Sequence, residues 1–151
     1  MGNNDAMIAQ TLPDVNLKTL DGKPISIKEH VKNNNYTVLS FWATWCGPCK
    51  KELDALEDYY EEWKDEFGVE LIAVTVDNTR GLSKVKPMVN TKGWGFTVLS
   101  DAKQELQRGL NFQTIPQTFI VDSEGKVVYS HNGYNPGDEE ELADKIEALS
   151  K

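Results

Sequence analysis

The chain has 151 residues, 39% of them hydrophobic and 26% charged, with a formal net charge of -8. That length and balance describe one globular domain with a real core, and the acidic excess argues against nucleic-acid binding while favouring basic partner surfaces. No apolar run approaches the roughly 20 residues of a membrane span, and the polar start Met1-Gly2-Asn3-Asn4-Asp5 carries no signal peptide; it suits a native terminus, or a chain cut after an export segment or anchor.

Residues 1–10 are expected to be a flexible N-terminal segment, and residues 11–151 a single domain. Asp21-Gly22 lies between Val15-Asn16-Leu17 and Pro24-Ile25-Ser26-Ile27, a hairpin signal. Ser26-x-x-Glu29 resembles a capping box. Tyr36 to Ala43 reads as a buried strand. Cys49, Leu53, Leu56, Tyr60, Trp63 and Phe67 recur at spacings of four and three and predict one long amphipathic helix, closed by Gly68. Val69 to Val76 predicts a second buried strand. Gly81 to Lys92 predicts an extra helix whose Pro87 must sit in the first turn. A short strand at Thr97-Val98-Leu99, a helix over Asp101 to Leu110, and strands at Thr118 to Val121 and Lys126 to His131 follow. Asp138-x-x-Glu141 is expected to cap a final helix that turns Leu142, Ile146 and Leu149 to the sheet.

The chain's two cysteines stand in Trp45-Cys46-Gly47-Pro48-Cys49, between the first buried strand and the long helix. Cys-x-x-Cys there puts the first sulfur at a helix N-terminus, where orphan N–H groups and the helix dipole favour a thiolate, the species that attacks disulfides. The second cysteine lies about one turn on, close enough to close a ring. A structural zinc site needs about four ligands, and the chain offers two cysteines and the distant His30 and His131. A structural staple gains little from so short a loop. Gly-Pro between the cysteines favours a redox pair over inert buried thiols. His30 and His131 have no partner spacing and read as structural. Asn35-Tyr36-Thr37 fits a glycosylation triplet, but at the mouth of a buried strand it is not expected to serve as one.

With strand, Trp-Cys-Gly-Pro-Cys and helix in this order, the chain resembles thioredoxin-fold oxidoreductases, over roughly residues 11 to 150. It is most similar to the TlpA/ResA-like branch of extracytoplasmic thiol-disulfide proteins. The hairpin from Leu12-Pro13-Asp14 through Asp21-Gly22-Lys23, the extra segment around residues 78–96 and the run Phe41 to Leu53 carry that match. The resemblance implies an α/β fold: a central mixed sheet with helices on both faces, an N-terminal β-hairpin and a central insertion. It implies a cis Ile115–Pro116 bond in Thr114-Ile115-Pro116-Gln117-Thr118-Phe119, with the Ile115 backbone pairing with an extended partner segment beside Cys46. Many cytosolic relatives carry a buried aspartate where this chain has Ser40 and a lysine where it has Ala73. The family pattern offers Glu52 instead, one turn after Cys49, as a proton acceptor, although a glutamate on a helix is otherwise a solvated charge. Trp45 is expected to shield the dithiol, Trp42 to pack beneath it, Pro48 to stiffen the helix start, and Gly47 and Gly133 to line the partner groove.

The activity so implied is thiol-disulfide exchange in the reducing direction, on disulfides of exported proteins. Cys46 attacks, a mixed disulfide forms, and Cys49 resolves it. The implied partners are disulfide-containing proteins and a membrane or soluble thiol electron donor, with no nucleic acid. No cofactor is implied, since the dithiol is itself the redox group, and a monomer is expected. A periplasmic or otherwise extracytoplasmic location follows from the branch, with an anchor in the precursor and the cytoplasm both left open. Two alternatives stand beside this. Peroxiredoxins share the fold, but their Pro-x-x-x-Thr-x-x-Cys is not matched by Thr44 two places before Cys46. A non-catalytic peptide-binding module would bind without either sulfur.

Overall fold

The computed structural model describes residues 10–151; the segment read as flexible lies, up to residue 9, outside the described residues. Seven strands form one mixed sheet. They are β1 (Asn16–Thr19), β2 (Pro24–Ser26), β3 (Tyr36–Trp42), β4 (Val69–Thr75), β5 (Thr97–Ser100), β6 (Gln117–Asp122) and β7 (Val127–Asn132). Their order across the sheet is β2-β1-β5-β4-β3-β6-β7. β3 runs parallel to β4 and β4 to β5, whereas β6 is antiparallel to both β3 and β7. The N-terminal hairpin, turned at Gly22 with φ +89°, extends the sheet through β1 against β5.

The central strands are mostly apolar because both faces are covered. Every residue of β3 after Tyr36 is buried. Alternation then decides what each face carries. Phe41 and Phe119 turn to one side and meet Phe112, with ring centroids 4.7 to 5.9 Å apart. Ser40, Trp42 and Thr118 turn to the other, under the helix that follows the cysteines.

Among the described residues, five α-helices of four residues or more accompany the sheet: α1 (Ile27–His30), α2 (Gly47–Leu56), α3 (Val85–Lys92), α4 (Glu105–Gly109) and α5 (Asp138–Leu149). Ser26 Oγ accepts from Glu29 N at 3.2 Å at the start of α1, but Glu29's own carboxylate goes to Lys32 rather than back to Ser26. The long helix expected to Phe67 is broken. α2 stops at Leu56, a turn follows with Asp58 and Tyr59 bonded to carbonyls three residues back, and short helical pieces at Tyr60–Glu62 and Trp63–Phe67 complete it. The cause is tertiary. The insertion docks at the break, where Glu57 accepts the Gly95 N–H, Asp54 accepts from Trp94 Nε1 and Lys92, and Tyr60 packs edge-on to Phe96.

Three further expectations are corrected. Gly81 to Lys92 divides into a 3-10 turn, Gly81–Lys84, and α3, in which Pro87 falls in the first turn. α4 begins at Glu105, not Asp101, because Gln104 takes φ +59° and the Asp101 carboxylate accepts the N–H groups of Leu106 and Gln107. α5 has Gly137 at its N-cap with no side-chain cap; Asp138 is its first residue and accepts instead from Asn135 N and His131.

Candidate active site

β3 delivers the chain to the motif at the carboxyl end of the parallel strands, where open α/β sheets place their sites. Cys46 is the N-cap of α2, with φ -102° and ψ 105°, and its sulfur accepts the Cys49 N–H at 3.3 Å. Pro48 occupies the first turn, where a missing N–H costs nothing. The two sulfurs are bonded to each other, with Cα atoms 5.4 Å apart. Cys46 retains 7% exposure and Cys49 none. Trp45 is 72% exposed, and Gly47 and Pro48 are exposed beside it. Trp42 is fully buried, its ring edge-on to Trp94 at 5.2 Å.

The β3–β6 register pairs Phe41 with Gln117. It therefore carries Pro116 to the end of β3 from which the motif departs. The Ile115–Pro116 bond is cis, and Ile115 is half-buried. Gly133, at φ +87°, donates its N–H to the Pro116 carbonyl at 2.8 Å. Asn132 clasps the same loop from Nδ2, donating to Thr114 O at 3.0 Å and Gln117 Oε1 at 2.9 Å.

Three acidic side chains among the described residues are buried at this end of the sheet: Glu52, Asp77 and Asp101, the last already described at the start of α4. Glu52 is 3% exposed and lies on the face of α2 that also buries Cys49, Leu53 and Leu56. Ser40 Oγ donates to its Oε1 at 3.4 Å and Thr118 Oγ1 to its Oε2 at 3.1 Å. Ser40 pairs with Ala73 across β3 and β4, so the carboxyl missing from the strand is supplied by the helix above it. Burial pushes the Glu52 pKa up from 4.5 to about 7, against the weaker pull of the Thr118 hydrogen bond and the His131 charge. A carboxyl near neutrality can accept or return a proton at working pH.

Asp77, also 3% exposed, follows β4. It accepts from Thr44 N at 2.9 Å, from Thr44 Oγ1 at 2.8 Å and from the Thr75 hydroxyl. It thus fixes the loop between β3 and Cys46. Its hold on Thr44 also keeps that hydroxyl turned to a buried carboxylate. The sequence gives Asp77 no motif; a threonine two places before an aspartate at a strand end is its one faint local sign. Asn132 likewise carries no motif, and the cis-proline run that contains Thr118 gives no sign of its bond to Glu52. His30 pairs with Glu70 at 2.9 Å, and His131 pairs with Asp138 at 3.1 Å.

A helix-capping Cys-x-x-Cys disulfide above a mixed sheet, beside a cis-proline loop, defines a thioredoxin-fold dithiol enzyme. The comparisons agree. The AhpC/TSA family pattern matches residues 8–130, and the chain belongs to that family. The thiol-disulfide oxidoreductase ResA of Bacillus thuringiensis (strain Al Hakam) is 36% identical over 121 residues, which is 80% of this chain and 67% of that protein. The thioredoxin-like protein YneN of Bacillus subtilis is 33% identical over 125 residues, 82% of this chain and 71% of that one. Among solved structures, an uncharacterized thioredoxin-like protein of Porphyromonas gingivalis superposes with TM-score 0.78 at 41% identity, covering 92% of this chain and 91% of that one. StoA of Bacillus subtilis superposes with TM-score 0.70 at 26% identity, covering 92% and 100%. The protein is a thiol-disulfide oxidoreductase, and the relatives favour that chemistry over the peroxidase and non-catalytic readings.

Proposed function

We propose that this protein is the reductant in thiol-disulfide exchange with extended, disulfide-bearing segments of exported proteins. The observation that carries the reading is the unequal exposure of the bonded pair, 7% for Cys46 and none for Cys49, at the N-terminus of α2. Reduced Cys46 attacks the partner disulfide as a thiolate, forming a mixed disulfide and releasing one partner thiolate. Cys49 gives its proton to Glu52 and attacks the Cys46 sulfur. The Cys46–Cys49 bond forms, and the second partner thiolate leaves. The partner gains two electrons and the dithiol loses them. A thiol donor, membrane-bound or soluble, then restores the dithiol.

The exposed faces of Trp45, Gly47 and Pro48, with Ile115, Pro116 and Gly133 opposite, form the docking groove, where the Ile115 backbone pairs with the partner segment. The extracytoplasmic setting rests on the resemblance to the TlpA/ResA-like branch; among the described residues no helix is long and apolar enough to cross a membrane. Residues 11–151 act as one domain, as a monomer.

Limiting iodoacetamide near neutral pH is expected to label Cys46 before Cys49 in the reduced protein; the opposite order would reverse the roles. Cys49→Ser should accumulate mixed disulfides whose partners can be identified, and Cys46→Ser should accumulate none. Turnover of a model protein disulfide by Cys46→Ser would defeat the mechanism.

A further inference from the structure

Strand register, not sequence proximity, brings His131 to the buried carboxyl. Thr118 of β6 lies opposite His131 of β7, and directly opposed residues of an antiparallel pair project from the same face. Thr118 turns its hydroxyl to Glu52 Oε2, 3.1 Å away. His131 therefore stands on the face that α2 covers, with Nε2 3.1 Å from Asp138 Oδ2 in the first turn of α5. α2 and α5 pack together over this face. The arrangement grades from an enclosed carboxyl, 3% exposed, to an imidazole side chain at 35%.

We propose that His131 is a positioning residue for the resolving step: its imidazolium holds Glu52 in the ionised form that takes the Cys49 proton. The proposal rests on the reading of Glu52 as that acceptor. The groups around Glu52 divide by sign. Ser40 and Thr118 offer neutral hydroxyls, and Tyr129 and Tyr134 offer phenols that themselves feel Glu52. Asp138 opposes ionisation of Glu52, and Glu139 and Glu141 add negative charge around the two phenols. His131 is the cationic group that acts on Glu52 in the favourable sense.

The oxidised protein offers a clean measurement, because neither cysteine titrates there. Infrared titration, with Glu52→Gln identifying the band, reads the Glu52 carboxyl directly. His131→Gln is expected to raise its midpoint, and His131→Lys, which restores a cation, to bring it back. Kinetically, reduced protein mixed with 5,5′-dithiobis(2-nitrobenzoate) releases one coloured thiolate on attack by Cys46 and a second on resolution by Cys49. In His131→Gln the second release should slow by about threefold to tenfold at pH 7 and rejoin the wild type at alkaline pH, where Glu52 ionises unaided. An unmoved carboxyl midpoint in His131→Gln, or slowing by one factor at every pH, would overturn the role of His131 alone. If Glu52→Gln keeps the wild-type pH profile of the second release, the acceptor reading falls, and the proposal with it.

Discussion

Glu52 and Asp77 are both 3% exposed, at the same end of the same sheet, yet their surroundings differ. Asp77 accepts a backbone N–H and two hydroxyls at close range. Glu52 has two hydroxyls, at 3.1 and 3.4 Å, and no backbone donor. A carboxylate that receives backbone N–H bonds replaces its lost hydration; one with two side-chain hydroxyls replaces it only in part. Enclosure alone therefore does not make an acid functional. Asp77 is built as a lock on the loop before Cys46, whereas the surroundings of Glu52 suit the proton site proposed above.

The sharpest test of the lock is Asp77→Ala. It orphans a buried N–H and two buried hydroxyls, and should cost about 4 kcal/mol of stability in urea unfolding. The pH profile of resolution should keep its shape. A moved profile would make Asp77 a second proton site and dissolve the contrast.

Glu52 should behave oppositely in stability. Its pKa in the folded protein, about 7, lies above its ordinary 4.5, so folding binds this proton more tightly than the open chain does. Its contribution is complete below about pH 4.5 and is lost as pH rises through about 7. The linkage is worth about 3 kcal/mol. In the oxidised protein, Glu52→Gln should therefore gain stability relative to wild type between pH 5 and pH 8 by roughly that amount. A difference independent of pH would show that the carboxyl stays ionised.

In catalysis, Glu52→Gln should slow resolution at pH 7 by about a hundredfold and flatten its pH profile. Glu61→Gln, an exposed helical control, should change neither. Equal behaviour of the two would reduce Glu52 to a charge without a task. The smallest expected effect is at Trp45, which is surface rather than core. Trp45→Ala should move stability by less than about 0.5 kcal/mol while raising KM for a protein disulfide several-fold; a large stability loss would mean that the ring supports the loop Asp77 holds.

The amino-acid sequence alone carried the dithiol, its strand-to-helix setting and most strands, because Cys-x-x-Cys chemistry and apolar runs are local signals. Through the family resemblance the sequence also pointed to Glu52, one turn after Cys49. It did not show the break after Leu56, since the periodicity of Cys49 to Phe67 is that of an unbroken helix and the docking of Trp94, Gly95 and Phe96 is what bends it. Nor did it show the late start of α4, where the Asp101 side chain takes N–H groups that a longer helix would have satisfied through its own backbone. The pairings of Asp77 with Thr44 and of Thr118 with both Glu52 and His131 join residues 13 to 66 positions apart. Burial and strand register decide such contacts, and both are properties of the assembled sheet rather than of any segment in it.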